Sequence, residues 1–166
     1  MIFVTVGTHE QQFNRLVREI DRLKETGVID DEVMIQTGFS DYEPKFCKWS
    51  KLIPYEDMQK YMDEAKIIIT HGGPSSFLDA LKRGKFPIVV PRKKEFDEHV
   101  NDHQVDFCNA VAEKKKNILV VNDIAFLRDT ILNYDKLVSQ LNADIESNNA
   151  SFNRNLEIII NHIFEA

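Results

Sequence analysis

A chain of 166 residues, 43% hydrophobic and 29% charged, has the composition of an ordinary soluble domain with room for one sizeable core. Its net charge of −6 excludes a general nucleic-acid surface, which draws on clustered Lys and Arg, and no apolar run approaches the ~20 residues needed to cross a bilayer. Cys47 and Cys108 show neither CxxC nor metal-ligand spacing and suit free thiols in a reducing compartment.

Ile2 to Val6 is a run of β-branched and aromatic residues that predicts a first strand, broken at Gly7-Thr8. No basic region precedes it and no cleavage pattern follows, so it is not read as a signal peptide and a cytoplasmic chain is expected. Phe13, Leu16, Val17, Ile20 and Leu23 recur at helical spacing, and Gly27 closes that helix. Glu32 to Thr37 predicts a second strand ended by Gly38, Phe46 to Leu52 a weaker third, and Tyr55 to Ala65 a short helix. Lys66 to Thr70 is a fourth strand, followed by the turn His71 to Ser76 and a helix. A strand at Pro87 to Val90, a helix at His103 to Lys115 and a strand at Asn117 to Val121 come next. Helical segments at about Ile124 to Tyr134 and Ser151 to Phe164 complete the chain. Alternating strands and helices with near-continuous Val/Ile runs predict an α/β fold: a doubly wound, mostly parallel, Rossmann-like sheet in a single domain over residues 1–166. Lys114-Lys115-Lys116 reads as a solvated helix end, and Asn149-Ala150-Ser151 as a formal glycosylation sequon without meaning in a cytosolic chain.

Ligands of open α/β sheets collect outside the carboxyl ends of the strands, which directs attention to Gly7-Thr8-His9, Gly38, His71 to Ser76 and Arg92 to Gln104. Gly72 and Gly73 permit close backbone approach to a ligand, and Pro74 fits a first helical position. Free N–H groups of Ser75 and Ser76, their hydroxyls and the positive helix end would form an anion pocket suited to a phosphate or pyrophosphate. Neither the P-loop nor the GxGxxG spacing is present, and a tight turn before a capped helix accounts for an isolated His-Gly-Gly equally well. Asp79 lies four residues after Ser75, one turn deeper on the same face, where a carboxylate can accept from the vicinal hydroxyls of a ribose or simply face solvent. Asp102, His103 and Gln104 open a helix and offer either groups for sugar hydroxyls or helix caps. His99 and His103 stand at i and i+4, but HVNDH lacks the Glu of HExxH, so no metal is expected. Arg92-Lys93-Lys94 is either a source of positive potential for an anionic donor or lipid-phosphate acceptor, or a solvated surface run.

The ordered set His71-Gly72-Gly73, Ser76, Asp79-Ala80-Leu81, Gly84, Pro87, Pro91, Asp102, Gln104 and Asn109-Ala110 resembles the nucleotide-sugar-binding half of the GT-B glycosyltransferases, specifically the C-terminal domain of glycosyltransferase family 28. The opening FVTVGTHEQQFNRLV is similar to small catalytic subunits of two-part enzymes in that family, among them subunits of the dolichol-linked N-acetylglucosaminyltransferase and of bacterial capsule or exopolysaccharide β-1,4-galactosyl- or glucosyltransferases. The resemblance implies an inverting glycosyltransferase subunit that passes a hexose from a UDP-sugar to a polyprenyl-linked glycan acceptor without cofactor or metal. It also implies a membrane-associated acceptor-binding subunit as partner, which would hold this chain peripherally at the inner face of the membrane. By position, Gly7, Thr8, His71, Gly72, Gly73, Ser75 and Ser76 would hold the pyrophosphate, Asp79 the ribose, Ile53 and Met58 the uracil, and Asp102, His103 and Gln104 the sugar. Many relatives carry Glu where this chain has Asp79.

Inversion needs a base for the acceptor hydroxyl, for which His9 and Glu10 are the candidates, and stabilisation of the departing UDP, which helix-end N–H groups supply. Phe152, Leu156, Ile159, Ile160 and Ile163 form one stripe on the last predicted helix, about 151–164, suited to the domain's own sheet or to a partner. Two other functions fit the same resemblance: a non-catalytic nucleotide-sugar-binding or regulatory subunit, and a UDP-sugar epimerase-like half.

Overall fold

A computed structural model describes residues 1–141. Six strands form one sheet: β1 (Ile2–Thr5), β2 (Val33–Gln36), β3 (Lys48–Ser50), β4 (Ile67–His71), β5 (Ile88–Val90) and β6 (Leu119–Val120). Their order is β3-β2-β1-β4-β5-β6, and every neighbouring pair is parallel. The helices are α1 (Asn14–Glu25), α2 (Tyr55–Glu64), α3 (Pro74–Lys82), α4 (His103–Lys115), α5 (Leu127–Leu132) and α6 (Tyr134–Val138). None of them is long and apolar enough to cross a membrane.

Both faces of the sheet are apolar, as parallel strands covered on two sides require. Ile2, Val4, Val6, Ile67, Ile69, Ile88 and Val90 point to one side, where Leu16, Val17, Ile20 and Leu23 of α1 meet Leu127, Ile131 and Tyr134. On the other side Phe3 and Ile68 pack with Met62 of α2 and Ala80 of α3, and Val89 packs with Phe77, Leu81 and Cys108. This is the doubly wound α/β arrangement read from the sequence. Strand order reverses between β1 and β4, so the crevice at their carboxyl ends is the place where such a sheet accepts a ligand.

Three elements differ from expectation. The third strand keeps only Lys48–Ser50 of the predicted Phe46 to Leu52, because Asp21 of α1 takes the N–H groups of Lys45, Phe46 and Cys47 at 2.8–3.1 Å. Burial alone would raise the Asp21 carboxyl, but these bonds and one from Tyr42 hold it below its ordinary value. The last strand shrinks from Asn117–Val121 to Leu119–Val120 on the sheet edge. The helix expected from Ile124 to Tyr134 is broken into a 3-10 turn at Ile124–Phe126, α5 and α6, with Asn133 between the two helices. The predicted helix 151–164 with its docking stripe, and the sequon at 149–151, lie outside the described residues.

Candidate functional site

Strand β4 ends at His71, and α3 begins two residues after Gly72. Gly73 (φ −74°, ψ 125°) is the extended residue before the helix, and Pro74 takes the first turn, where its missing N–H is no loss. The sequence suggests that these glycines admit a ligand; the structure gives them other neighbours. A Cβ on Gly73 would strike Nε2 of the His71 imidazole, and one on Gly7 (φ +74°) would strike the same ring, 2.6 Å from Nε2. A Cβ on Gly72 would lie 2.9 Å from Gln104 Cβ and 3.1 Å from Cys108 Sγ. The glycines therefore let the His71 ring wedge between the turns after β1 and β4, and let α4 close on the turn after β4.

Burial pushes the His71 imidazole down to about 4, and the Arg92 guanidinium acts in the same direction. The ring is neutral at pH 7. Its Nδ1 is buried without a hydrogen-bond partner among the described residues, although the Thr5 backbone approaches the ring. The exposed Ser75 lies in the first turn of α3. Ser76, expected to offer a free N–H, donates it to the Gly73 carbonyl at 3.2 Å, because the turn tightens there. One turn on, the Asp79 carboxylate is held, among the described residues, only by Lys82 Nζ at 3.6 Å, and its side chain is 32% exposed. It is reachable from the helix end. Ile53 is 9% exposed and packs with Phe3, Ile68 and Ala80, and Met58 packs on the same cluster. Their side chains face the core.

The loop after β5 is built differently. Arg92, expected in a solvated or anion-facing run, is completely buried, because its guanidinium takes the carbonyls of Val6, Gln11, Gln12 and Glu98 at 2.8–3.0 Å. The fully buried Glu98 carboxylate receives a bidentate pair from Arg15 at 2.8 and 2.9 Å and the Lys93 N–H at 3.0 Å. Gln12 and Gln11 add side-chain bonds to the carbonyls of Phe96 and Asp97. The turns after β1 and β5 are thus stitched together above the end of β4.

This stitching brings His9 against His99, with ring centroids 4.9 Å apart. Burial, then Arg92 and His99, lower the His9 imidazole below its ordinary value, with Glu10 opposing them. His9 Nδ1 accepts the Gln11 N–H at 3.2 Å, so the neutral ring carries its proton on Nε2 and presents a donor there. In this tautomer Nε2 is a donor, with no lone pair to offer. Thr8 and Glu10 are exposed beside it.

The remaining residues separate. Asp102 precedes α4 but does not cap it; its carboxylate accepts the Lys94 N–H at 2.9 Å. His103 is exposed at the start of α4 while His99 stays in the preceding loop, so their i, i+4 spacing is not realised on one helix. No group of three His, Cys, Asp or Glu among the described residues could hold a metal ion. Gln104 faces Gly72, and its Oε1 accepts the Arg92 N–H at 3.2 Å. The structure therefore gathers Gly7, His9, His71, Gly72, Gly73 and Gln104, leaves Ser75 and Asp79 accessible on α3, and ties Asp102 into its own loop. Sequence reasoning missed the roles of Arg15 and Glu98, and only a charged residue straight after the apolar run Ile88–Val90 hinted at Arg92.

The family profile described as "Glycosyltransferase family 28 C-terminal domain" matches residues 1–157. A curated relative, the UDP-N-acetylglucosamine transferase subunit ALG13 of Yarrowia lipolytica (strain CLIB 122 / E 150), is 35% identical over 68 residues, which cover 41% of this chain and 32% of the relative. Among solved structures, the calicheamicin glycosyltransferase CalG4 superposes with a TM-score of 0.61 at 16% identity, covering 98% of this chain and 43% of that one. The glycotransferase of kitacinnamycin gives 0.53 at 18% identity, covering 84% and 36%. These structures share the fold, and the chain spans less than half the length of each of these three proteins.

Proposed function

This chain belongs to the glycosyltransferase family 28 C-terminal domain family, and from that premise we propose that it is the donor-binding subunit of an inverting glycosyltransferase, passing a hexose from a UDP-sugar to a polyprenyl-linked glycan. The observation that carries the reading is the turn after β4: His71-Gly72-Gly73 delivers the start of α3 to the switch point of the sheet, with Asp79 accessible one turn on. The helix end, Ser75 and the backbone at Gly7, Thr8, Gly72 and Gly73 receive the pyrophosphate, and Asp79 accepts from the ribose hydroxyls. The backbone near Ile53 meets the base. His9 donates from Nε2 to the phosphates and steadies the departing UDP, while Gln104, beside Gly72, lies toward the sugar.

Glu10, an exposed carboxylate next to His9, is the base this chain can supply. Helix-end N–H groups and His9 take the leaving-group charge in this scheme, so none of its steps calls on a metal. A membrane-associated partner brings the acceptor and anchors the chain at the inner face of the membrane; the ALG13 relative, named as a transferase subunit, supports a divided enzyme.

The test is transfer of radiolabelled sugar from a UDP-sugar into the lipid fraction, using membranes of source cells lacking this chain and supplemented with purified protein. Wild type restores transfer, Asp79→Ala raises KM, and Glu10→Gln lowers kcat. Full transfer by all variants would sink the catalytic assignment and favour a non-catalytic subunit; conversion of the sugar without acceptor would favour an epimerase-like half.

A further inference from the structure

Arg92 is the largest fully buried side chain among the described residues. A guanidinium is placed there at a desolvation cost that only well-made hydrogen bonds offset. Burial pushes it down to about 10, partly opposed by Glu98, so it stays charged at pH 7. The Glu98 carboxylate is engaged by Arg15 and Lys93 and gives Arg92 only its backbone carbonyl, at 3.0 Å. Arg92 Nε is buried with no partner among the described residues. What the guanidinium does hold is the segment after β1: Val6, Gln11 and Gln12 all direct carbonyls at it. Gln11 is also the residue whose N–H rests on His9 Nδ1.

We propose that Arg92 is a positioning residue for the donor site: by gripping the segment from Val6 to Gln12 it keeps the Gln11 N–H on His9 Nδ1 and so fixes His9 as an Nε2–H donor. The proposal rests on the reading of His9 as a contact to the donor's phosphates. The ring is faced by Arg92, by His99 with its ring tilted 36° and 4.9 Å away, and by Glu10, with the neutral His71 nearby. Arg92 thus acts twice, through geometry on the tautomer and through its charge against protonation of the ring. An ammonium at this position keeps the charge but cannot present a planar fork to four carbonyls.

Imidazole nitrogen shifts of the full chain labelled with ¹⁵N-histidine report the tautomer and titration of His9 without reference to activity. In wild type His9 holds its proton on Nε2. Arg92→Lys converts it to a mixture of tautomers and weakens binding of UDP about tenfold, the order of loss that one missing hydrogen bond to a charged group causes. Arg92→Met does the same and also raises the pH at which His9 titrates. Glu98→Gln, which leaves the Arg92 bonds in place, keeps the wild-type tautomer. A wild-type His9 protonated on Nδ1 overturns the proposal whatever the variants do. So does an unchanged tautomer and UDP affinity in Arg92→Lys with wild-type circular dichroism, or an equal tautomer change in Glu98→Gln. Absence of UDP binding by wild type would remove the donor-site reading instead, while the tautomer still decides the role of Arg92.

Discussion

The turn after β4 and the loop after β5 leave neighbouring strands at the same edge of the sheet, and both carry polar residues whose types suit a sugar nucleotide. In the loop after β5 those groups face inward: Arg92 on four carbonyls, Glu98 on Arg15, Asp102 on the Lys94 N–H. In the turn after β4 they stay open, with Ser75 exposed and Asp79 held by one exposed lysine at 3.6 Å. Residue type alone does not separate a binding group from a structural one; whether its hydrogen bonds are already made does. One region is closed on its own hydrogen bonds, and the other leaves its polar groups open.

The largest effect that tests this division is steric. Gly7→Ala adds a Cβ against the His71 ring at a backbone angle of +74°, and we expect a loss of about 3 kcal/mol in urea unfolding. Gly27→Ala, at +71° but with nothing within 4 Å, should lose only about 1 kcal/mol. Equal losses would show that the His71 wedge does not exist. The second effect is acid sensitivity of comparable size. His71 titrates at about 4 in the fold against an ordinary 6.5, so between those values the unfolded chain binds a proton that the folded chain refuses. Stability from this group is complete above pH 6.5 and falls as pH drops, by about 3 kcal/mol once pH reaches 4. His71→Asn should flatten that part of the stability profile, and an unchanged slope would contradict the buried neutral ring.

Much of the fold is legible in the sequence because β-branched runs and helical spacing are local signals. The strands at Ile2–Thr5 and Val33–Gln36 fall inside the predicted segments, and the one at Ile67–His71 runs a single residue past its predicted end at Thr70. The third strand is shortened by a carboxylate 24 residues or more away, Asp21, and no local pattern announces such a bond. The same is true of the site. His-Gly-Gly-Pro marks the turn, but that Gly7 and Gly73 shelter an imidazole depends on packing between segments more than 60 residues apart. Arg92 within a run of three cations has the appearance of surface until the carbonyls of Gln11 and Gln12, some 80 residues earlier, are placed around it.

Two smaller effects sharpen the contrast. Asp79→Ala should weaken UDP binding about 10- to 30-fold, the loss of hydrogen bonds to a charged group, and leave the melting temperature unchanged, whereas Asp102→Ala should lower the melting temperature and change UDP affinity less. Calorimetry with UDP beside thermal unfolding checks both, and the reverse ranking would exchange their roles. Smallest of all, Lys82→Ala removes an exposed pair and should leave the melting temperature where it is.

Titrating UDP into ¹⁵N-labelled chain and following the backbone amides shows whether the turn after β4 seats the donor's phosphates. The largest shifts are expected at Gly72, Gly73, Ser75 and Asp79, with smaller ones at Gly7 and Thr8. Shifts concentrated in the separate cleft lined by Phe39, Tyr42 and Trp49 would contradict it.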